Sequence, residues 1–561
     1  MQTVPAAKKA LGQRLVEDGL ISRDQLETAL REQRRTGEHL GRILINLGFV
    51  SEENLSASLW DELGADRVSL SGIKIAPDVL RMVPPEMARE RHLIPLSFEG
   101  GMLTVAMADP CDIVAVDALQ NKLSCAVRVV AAAPGDIRSA VDRFFSDNAR
   151  HEALIEEVIE EARRAVALQD GEEAAGQAPL IELADQLIAK ALKDRATDIH
   201  VEPEEKLVRT RYRIDGILHQ GPAIPKALQS ALISRVKIMS DLDISERRAP
   251  QDGRIKFRAR SGSEIDLRVS VFPTAHGENV VLRVLDKSSV SLRLDQLGFG
   301  PQVLKVLREI VDEPHGMLLV TGPTGSGKTT TLYSLLGAIN SLEKNVVTVE
   351  DPIEYQLPMI RQSQVNPKIG LTFAAGLRAI LRQDPDVILV GEIRDLETAR
   401  IAISAALTGH FVLSTLHTNT AAGALPRMMD MGIEAFLLSS SVSGVLAQRL
   451  VRRICAECRE EYEASAAEAE QLRCEPGTSL ARGKGCPNCR GTGYRGRTAL
   501  YELVVPTERI RQMILSRASE GELAAAAEAE GMKTMFAMGR EKVLAGVTTL
   551  EEVTRVCRTA L

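Results

Sequence analysis

Residues 317–329 read Met-Leu-Leu-Val-Thr-Gly-Pro-Thr-Gly-Ser-Gly-Lys-Thr, an apolar strand that runs directly into the pattern Gly-x(4)-Gly-Lys-Thr. Glycines in such a loop let successive backbone N–H groups converge on phosphate oxygens, and the next helix adds the positive end of its dipole. Leu332, Leu335, Leu336 and Ile339 recur at helical spacing, so strand, loop and helix are all predicted. Lys328 then reaches the β- and γ-phosphates of ATP, and Thr329 holds Mg²⁺. The predicted nucleotide-binding set is Gly322, Pro323, Thr324, Gly325, Ser326, Gly327, Lys328, Thr329 and Thr330.

Three strand-like runs follow. Val346-Val-Thr-Val-Glu350-Asp351 ends in two carboxylates, and Asp386 precedes Val387-Ile-Leu-Val-Gly391-Glu392. Open α/β sheets collect their reactive groups at the ends of parallel strands. Carboxylates there orient Mg²⁺ or activate an attacking water, although a strand-end acid can also simply cap the next helix. A fourth strand is bounded by His410 and His417. His417, at its end, is placed to sense a γ-phosphate, while a lone histidine is commonly structural.

With 561 residues the chain exceeds one hydrophobic core, and roughly three to five domains are expected. Hydrophobic residues at 45% and charged residues at 26% suit a soluble globular protein. The segment 1–12 carries lysines without an apolar core, so no signal peptide is expected, and no run approaches the ~18 apolar residues of a membrane span. A net charge of −7 and only 3% aromatic residues argue against nucleic acid as the main partner.

The order of patterns divides the chain. Residues 10–33 and 39–62 repeat one another, with Leu-Gly, a second Gly, Ser and two Leu in register, which makes 1–63 a small helical module with Ser22 and Ser51 as N-caps. Residues 64–145 read as an α+β docking module, and 146–178 as a charged helix and flexible linker. Residues 179–290 form a second α+β domain, in which Ile265, Leu267, Val269 and Val271 alternate with polar neighbours as a half-buried strand does. Residues 291–561 are the α/β P-loop domain. Within it, Cys455/Cys458 and Cys486/Cys489 form two Cys-x-x-Cys pairs separated by 27 residues, a pattern that closes a tetrahedral Zn²⁺ site around 455–489.

The block at 322–329, the acidic box at Glu350–Asp351, the block at 386–392 and the histidine box at 410–417 stand in the order found in the secretion ATPase superfamily. Together they resemble the type II secretion and type IV pilus assembly ATPases. The resemblance implies a RecA-like P-loop domain in a homohexamer, with ATP held between that domain and the 179–290 domain. It also implies catalytic roles for particular side chains. Asp266-Leu-Arg268 and Val281-Leu-Arg283 match conserved strands of the preceding domain, and Arg378 with Arg382 matches a pair in the P-loop domain. Arg283 sits in an apolar run, where a guanidinium needs an anion, and Arg378 and Arg382 share a helix face; salt-bridging surface arginines are the plain alternative. Glu350 is implied as the group that activates water and Glu392 as the support for Mg²⁺, with the reverse assignment open.

The same resemblance places the tetracysteine insertion with assembly rather than retraction motors. It implies a cytoplasmic protein, peripheral at the inner face of the bacterial inner membrane. Its partners there would be an integral platform protein and the cytoplasmic domain of a second membrane protein. The N-terminal repeat is similar to a module that binds cyclic di-GMP, whose copies open with Arg-Leu-Gly and close with Gln. Here the openings are Ala10-Leu11-Gly12 and His39-Leu40-Gly41, and the second copy closes with Glu62. A retained fold with weak or absent cyclic di-GMP binding is therefore expected. Two other readings stay open: a DNA-handling motor with a zinc ribbon, and a nucleotide-binding regulatory switch.

Overall fold

The computed structural model describes 176–561 except 260, 261, 263, 286–292, 341 and 558–561. It also describes 66–167 except 71, 72, 74, 111, 124 and 146, and, before 66, positions 15–16, 19–36, 40, 43–44 and 47–50. The chain divides into two units, Met1–Glu157 and Val158–Leu561. In the first, Ser22 and Gln25 exchange side-chain and backbone hydrogen bonds at the start of the helix Arg23–Thr36, so Ser22 is the N-cap that the repeat predicts. Ser51 lies outside the described residues. Further on, β1 (Leu93–Glu99) pairs antiparallel with β2 (Met102–Met107), which pairs parallel with β3 (Ala126–Ala131). The crossover helix Ile113–Leu123 and the helix Pro134–Phe144 bury Leu119 and Ile137 in the core that also holds Leu103 and Val105.

The second unit holds two sheets. The first contains β4 (Ala196–Pro203), β5 (Leu207–Ile214), β6 (Ile217–Pro225), β7 (Gln251–Arg258), β8 (Glu264–Thr274) and β9 (Gly277–Leu285). Its order is β6-β5-β4-β9-β8-β7, with every neighbour antiparallel. Along β8, Leu267, Val269 and Val271 are buried, while Arg268 and Ser270 point the other way. The apolar face lies under α1 (Ala178–Lys193) and the helix Gln229–Met239; the Tyr212 hydroxyl donates to the Leu187 carbonyl of α1 at 3.4 Å. The opposite face carries the arginines.

The second sheet comprises β10 (Gly316–Thr321), β11 (Val346–Glu350), β12 (Arg361–Gln364), β13 (Val387–Val390), β14 (Phe411–Leu416), β15 (Val442–Ile454) and β18 (Tyr494–Val504). Its order is β12-β11-β13-β14-β10-β15-β18, parallel except for β18. Along β10 the period of two sends Met317 and Leu319 into one core and Leu318 and Val320 into the other, so helices cover both faces. On α2 (Lys328–Ile339), Leu332, Leu335, Leu336 and Ile339 are buried, each contributing roughly 1.5–3 kcal/mol. This is the RecA-like α/β arrangement that the sequence predicts. Between β15 and β18 the chain makes a small antiparallel hairpin of β16 (Arg459–Glu463) and β17 (Ser479–Gly483), which carries the cysteines.

Candidate nucleotide site

The phosphate loop lies on β15. Gly322 and Gly327 take φ of 142° and 91°, and a Cβ on either would run into Gln448, at its carbonyl oxygen or its side-chain nitrogen. Gln448 is buried, accepts from the Thr331 hydroxyl at 2.7 Å and donates to the Ser326 carbonyl at 2.8 Å. The Ser326 hydroxyl, buried inside the cradle, has no hydrogen-bond partner among the described residues. Lys328 turns back on its own loop, donating to the carbonyls of Gly322 at 2.8 Å and Pro323 at 3.2 Å. Burial lowers its pKa, and the Glu392 carboxylate works against that shift. Thr329 is exposed on the first turn of α2.

Glu392 gathers the charged residues at this end of the sheet. Its carboxylate lies 2.5 Å from Arg394 Nε and 3.5 Å from His417 Nε2. Lys328, Glu392 and His417 are thus brought together. Glu350 is placed differently. Its side chain, 4% exposed, accepts from the Tyr333 hydroxyl of α2, from the Thr348 hydroxyl at 2.5 Å and from Gln362 Nε2 at 3.1 Å. Burial and then Glu350 raise the Tyr333 phenol, and burial with Glu354 and Glu350 pushes Tyr355 up to about 12.

The arginines come from the other sheet. Cross-strand register places Arg254, Arg268, Arg283, Asp198 and Arg213 in one row across β7, β8, β9, β4 and β5. Arg268 Nη2 donates to the Ile353 carbonyl at 2.8 Å and lies 3.3 Å from Glu354 Oε2. Burial lowers its pKa, Glu354 opposes this, and Arg254 and Arg283 reinforce it. Arg283, on the open face and 55% exposed, pairs with Asp198 at 3.0 Å, which supplies the anion its apolar run requires. Arg254 reaches Gln364 at 3.4 Å. Arg378, on α3 (Phe373–Ile380), pairs with Glu397 of α4 (Leu396–Leu407) at 2.6 Å, and Arg382 donates to the Arg378 carbonyl. That pair engages its own helices rather than the carboxylates beside Lys328.

Cys455, Cys458, Cys486 and Cys489 converge, with their sulfurs all within 4.8 Å of one another. Cys455 and Cys486 are 3.8 Å apart and Cys458 and Cys489 3.7 Å, matching the edge of about 3.8 Å that a tetrahedron with Zn–S near 2.3 Å requires. Burial works against a charged Cys489, but the N–H groups of Cys486 and Gly493 and the neighbouring thiols bring it down to about 7. The donor set fits zinc.

A family model described as type II/IV secretion system protein matches residues 173–555. The chain belongs to the type II/IV secretion system protein family. Among its relatives is the type IV pilus assembly ATPase PilB of Myxococcus xanthus, 44% identical over 97% of this chain and 98% of that protein. Another is the type II secretion system protein E of Xanthomonas campestris pv. campestris, 41% identical over 99% of both. The ATPase DotB of Yersinia pseudotuberculosis, known from its X-ray structure, shares the fold: TM-score 0.51 and 20% identity over 68% of this chain and 94% of that one.

In this secretion-family chain a second model, the MshEN domain, matches 63–151. That match covers the three-stranded sheet and follows the tandem repeat. Ala10–Gly12, His39, Gly41 and Glu62, on which the cyclic di-GMP reading turns, lie outside the described residues. Among the described residues no helix is long and apolar enough to cross a membrane.

Sequence reasoning passed over Glu354, Arg254, Tyr333 and Gln448. Glu354 carried a signal, as the third acid of Glu350-Asp-Pro-Ile-Glu354. Arg254 alternates with buried Ile255 on β7. Nothing local marks Tyr333 or Gln448, because their partners lie on other elements: Glu350 at the end of β11 for Tyr333, the P-loop and α2 for Gln448.

Proposed function

We propose that this chain hydrolyses ATP as a homohexameric, cytoplasmic motor at the inner face of the bacterial inner membrane. Its work is pilin or pseudopilin assembly through an integral platform protein, in type IV pilus assembly or type II secretion, with the cytoplasmic domain of a second membrane protein as a further contact. Family membership supports this. The observation that carries it is the presence in one unit of a complete P-loop, the Lys328–Glu392–His417 cluster and an arginine-bearing sheet docked through Arg268 on the turn after β11.

In this reading the loop N–H groups and Lys328 bind the phosphates, and Thr329 with Glu392 orients Mg²⁺, which would neutralise phosphate charge when bound. His417, beside Glu392, contacts the γ-phosphate. The arginine row meets the developing negative charge, because Arg254, Arg268 and Arg283 stand side by side across β7, β8 and β9 and together outnumber the carboxylates that face them. Glu350 is the sequence's candidate for activating water, but three donors occupy its buried carboxylate. We assign that step to Glu354, half-buried four residues further along the same turn and faced by Arg268, with Glu350 holding the turn in place. Zinc is the expected resident of the cysteine cluster. Cyclic di-GMP is a weak or absent ligand of the N-terminal repeat.

The test is ATPase rate against protein concentration, with particle size followed in parallel, for wild type, Lys328→Ala and Arg268→Ala. A rate that climbs as hexamers form, absent in Lys328→Ala and collapsed in Arg268→Ala, supports the motor. A concentration-independent rate untouched by the arginine change removes it.

A further inference from the structure

Arg490 directly follows the last cysteine of the knuckle. Its backbone is left-handed, with φ 54°, and its N–H bonds to the Pro487 carbonyl at 3.2 Å, so the turn that closes the second Cys-x-x-Cys pair also aims its side chain. That side chain leaves the P-loop domain. Nη2 donates to the Asp194 carbonyl at 2.8 Å and lies 2.9 Å from Asp194 Oδ1. Asp194 caps the C-terminus of α1 in the preceding domain, and its side chain is only 4% exposed. Lys190 of the same helix approaches its other oxygen at 3.5 Å. A buried carboxylate held this way depends on its cations, and removing one leaves the charge poorly compensated.

A second contact lies beside the first. Asp215, in the turn between β5 and β6, accepts from the Gly496 N–H at 2.8 Å and lies 3.8 Å from Arg497 Nε. Gly496 and Arg497 begin β18, immediately beyond the knuckle. The knuckle backbone leaves no slack. Gly483 and Gly493 pack so closely that a Cβ on either would strike the other's backbone. Cys486 and Gly493 also aim their N–H groups at Cys489 Sγ, at 3.1 and 3.2 Å. A tetrathiolate cluster holds such a turn when a metal neutralises it, and metal binding and local folding are then one equilibrium.

We propose that the tetracysteine knuckle is a metal-dependent clasp whose docking partner is the 179–290 domain of its own chain, with Arg490 on Asp194 as the point of contact. Metal occupancy then sets how firmly the arginine-bearing sheet is held to the P-loop domain. The proposal stands on this contact and does not depend on the cargo or on the assignment of the general base.

The test uses the full chain and hydrogen–deuterium exchange at peptides covering 190–220, with peptides over β10 and β13 as internal controls. Three samples are compared: zinc-loaded wild type, wild type stripped with a chelator, and zinc-loaded Arg490→Ala with its zinc content measured. Stripping and Arg490→Ala should each speed exchange at 190–220 by about tenfold, with the control peptides unchanged and the variant's zinc complement full. Asp194→Asn, which preserves shape and removes the charge, should do the same and serves if Arg490→Ala does not fold. Unchanged protection on stripping, or in both variants, overturns the clasp. So does stripping that exposes β10 and β13 equally, since the metal would then support the domain at large.

Discussion

The Arg268 guanidinium lies 3.3 Å from the Glu354 carboxylate and donates to the Ile353 carbonyl at 2.8 Å, keying the antiparallel sheet to the turn that follows β11. The same contact holds the arginine row and the acidic box in one frame. A shift of one domain relative to the other therefore changes both at once, which is how hydrolysis and domain movement become linked in the proposed motor.

Arg268→Ala should lower kcat/KM for ATP by roughly 10²-fold through lost charge stabilisation. Arg268→Lys should recover little of it, because an ammonium cannot serve the Ile353 carbonyl and the Glu354 carboxylate with the geometry of a guanidinium. Steady-state kinetics at a fixed, assembled protein concentration decide this, and full recovery by lysine would reduce Arg268 to a point charge.

The three acids should separate in turnover. Glu354→Gln should cost about 10²–10⁴-fold in kcat, the range for losing a general base. Glu392→Gln should raise the Mg²⁺ concentration needed for half-maximal rate. Glu350→Gln, which keeps a hydrogen-bonding side chain among Tyr333, Thr348 and Gln362, should cost the least. If Glu350→Gln proves the most damaging of the three, the general base returns to Glu350.

Gln448→Ala removes the partner of both the Thr331 hydroxyl and the Ser326 carbonyl beneath the P-loop. Leaving those groups unmatched should destabilise the protein by about 1–3 kcal/mol and raise KM for ATP, because the loop loses its floor. Thermal unfolding with and without nucleotide measures both effects.

Glu552 ties α5 (Leu550–Cys557) to β15. Burial drives its carboxyl up, but hydrogen bonds from Arg555 and Arg452 more than offset this and hold it at about 2, below its ordinary 4.5. A carboxyl lowered by folding contributes stability that is complete above its unfolded pKa and is lost as pH falls from 4.5 toward about 2. The contribution is on the order of 3 kcal/mol. Denaturant unfolding across that window should therefore be flatter for Glu552→Gln than for wild type, and that variant should be less stable at neutral pH.

The phosphate loop, the strands at 346–350, 387–390 and 411–416 and the paired cysteines were legible in the sequence because each is local. A glycine pattern, a period of two or a fixed spacing expresses its own chemistry within a dozen residues. The alternation along β8 likewise told which side of that strand carries Arg268. It could not tell what Arg268 meets, since Ile353 and Glu354 belong to a turn of another domain, after β11.

What the sequence determined by itself was the inventory: a P-loop motif, strand-end acids, two paired cysteine motifs and their order along the chain. Tertiary structure decided which of them lie together. It buried Glu350 under Tyr333 and left Glu354 facing an arginine, drew Glu392 and His417 to Lys328, and set Arg378 against Glu397. It also laid the Cys486–Cys489 turn beside Asp194, which lies far away in the chain. The physical reason is that a side chain's role depends on its burial and on the charges facing it, and both are set by strands brought together only when the chain folds.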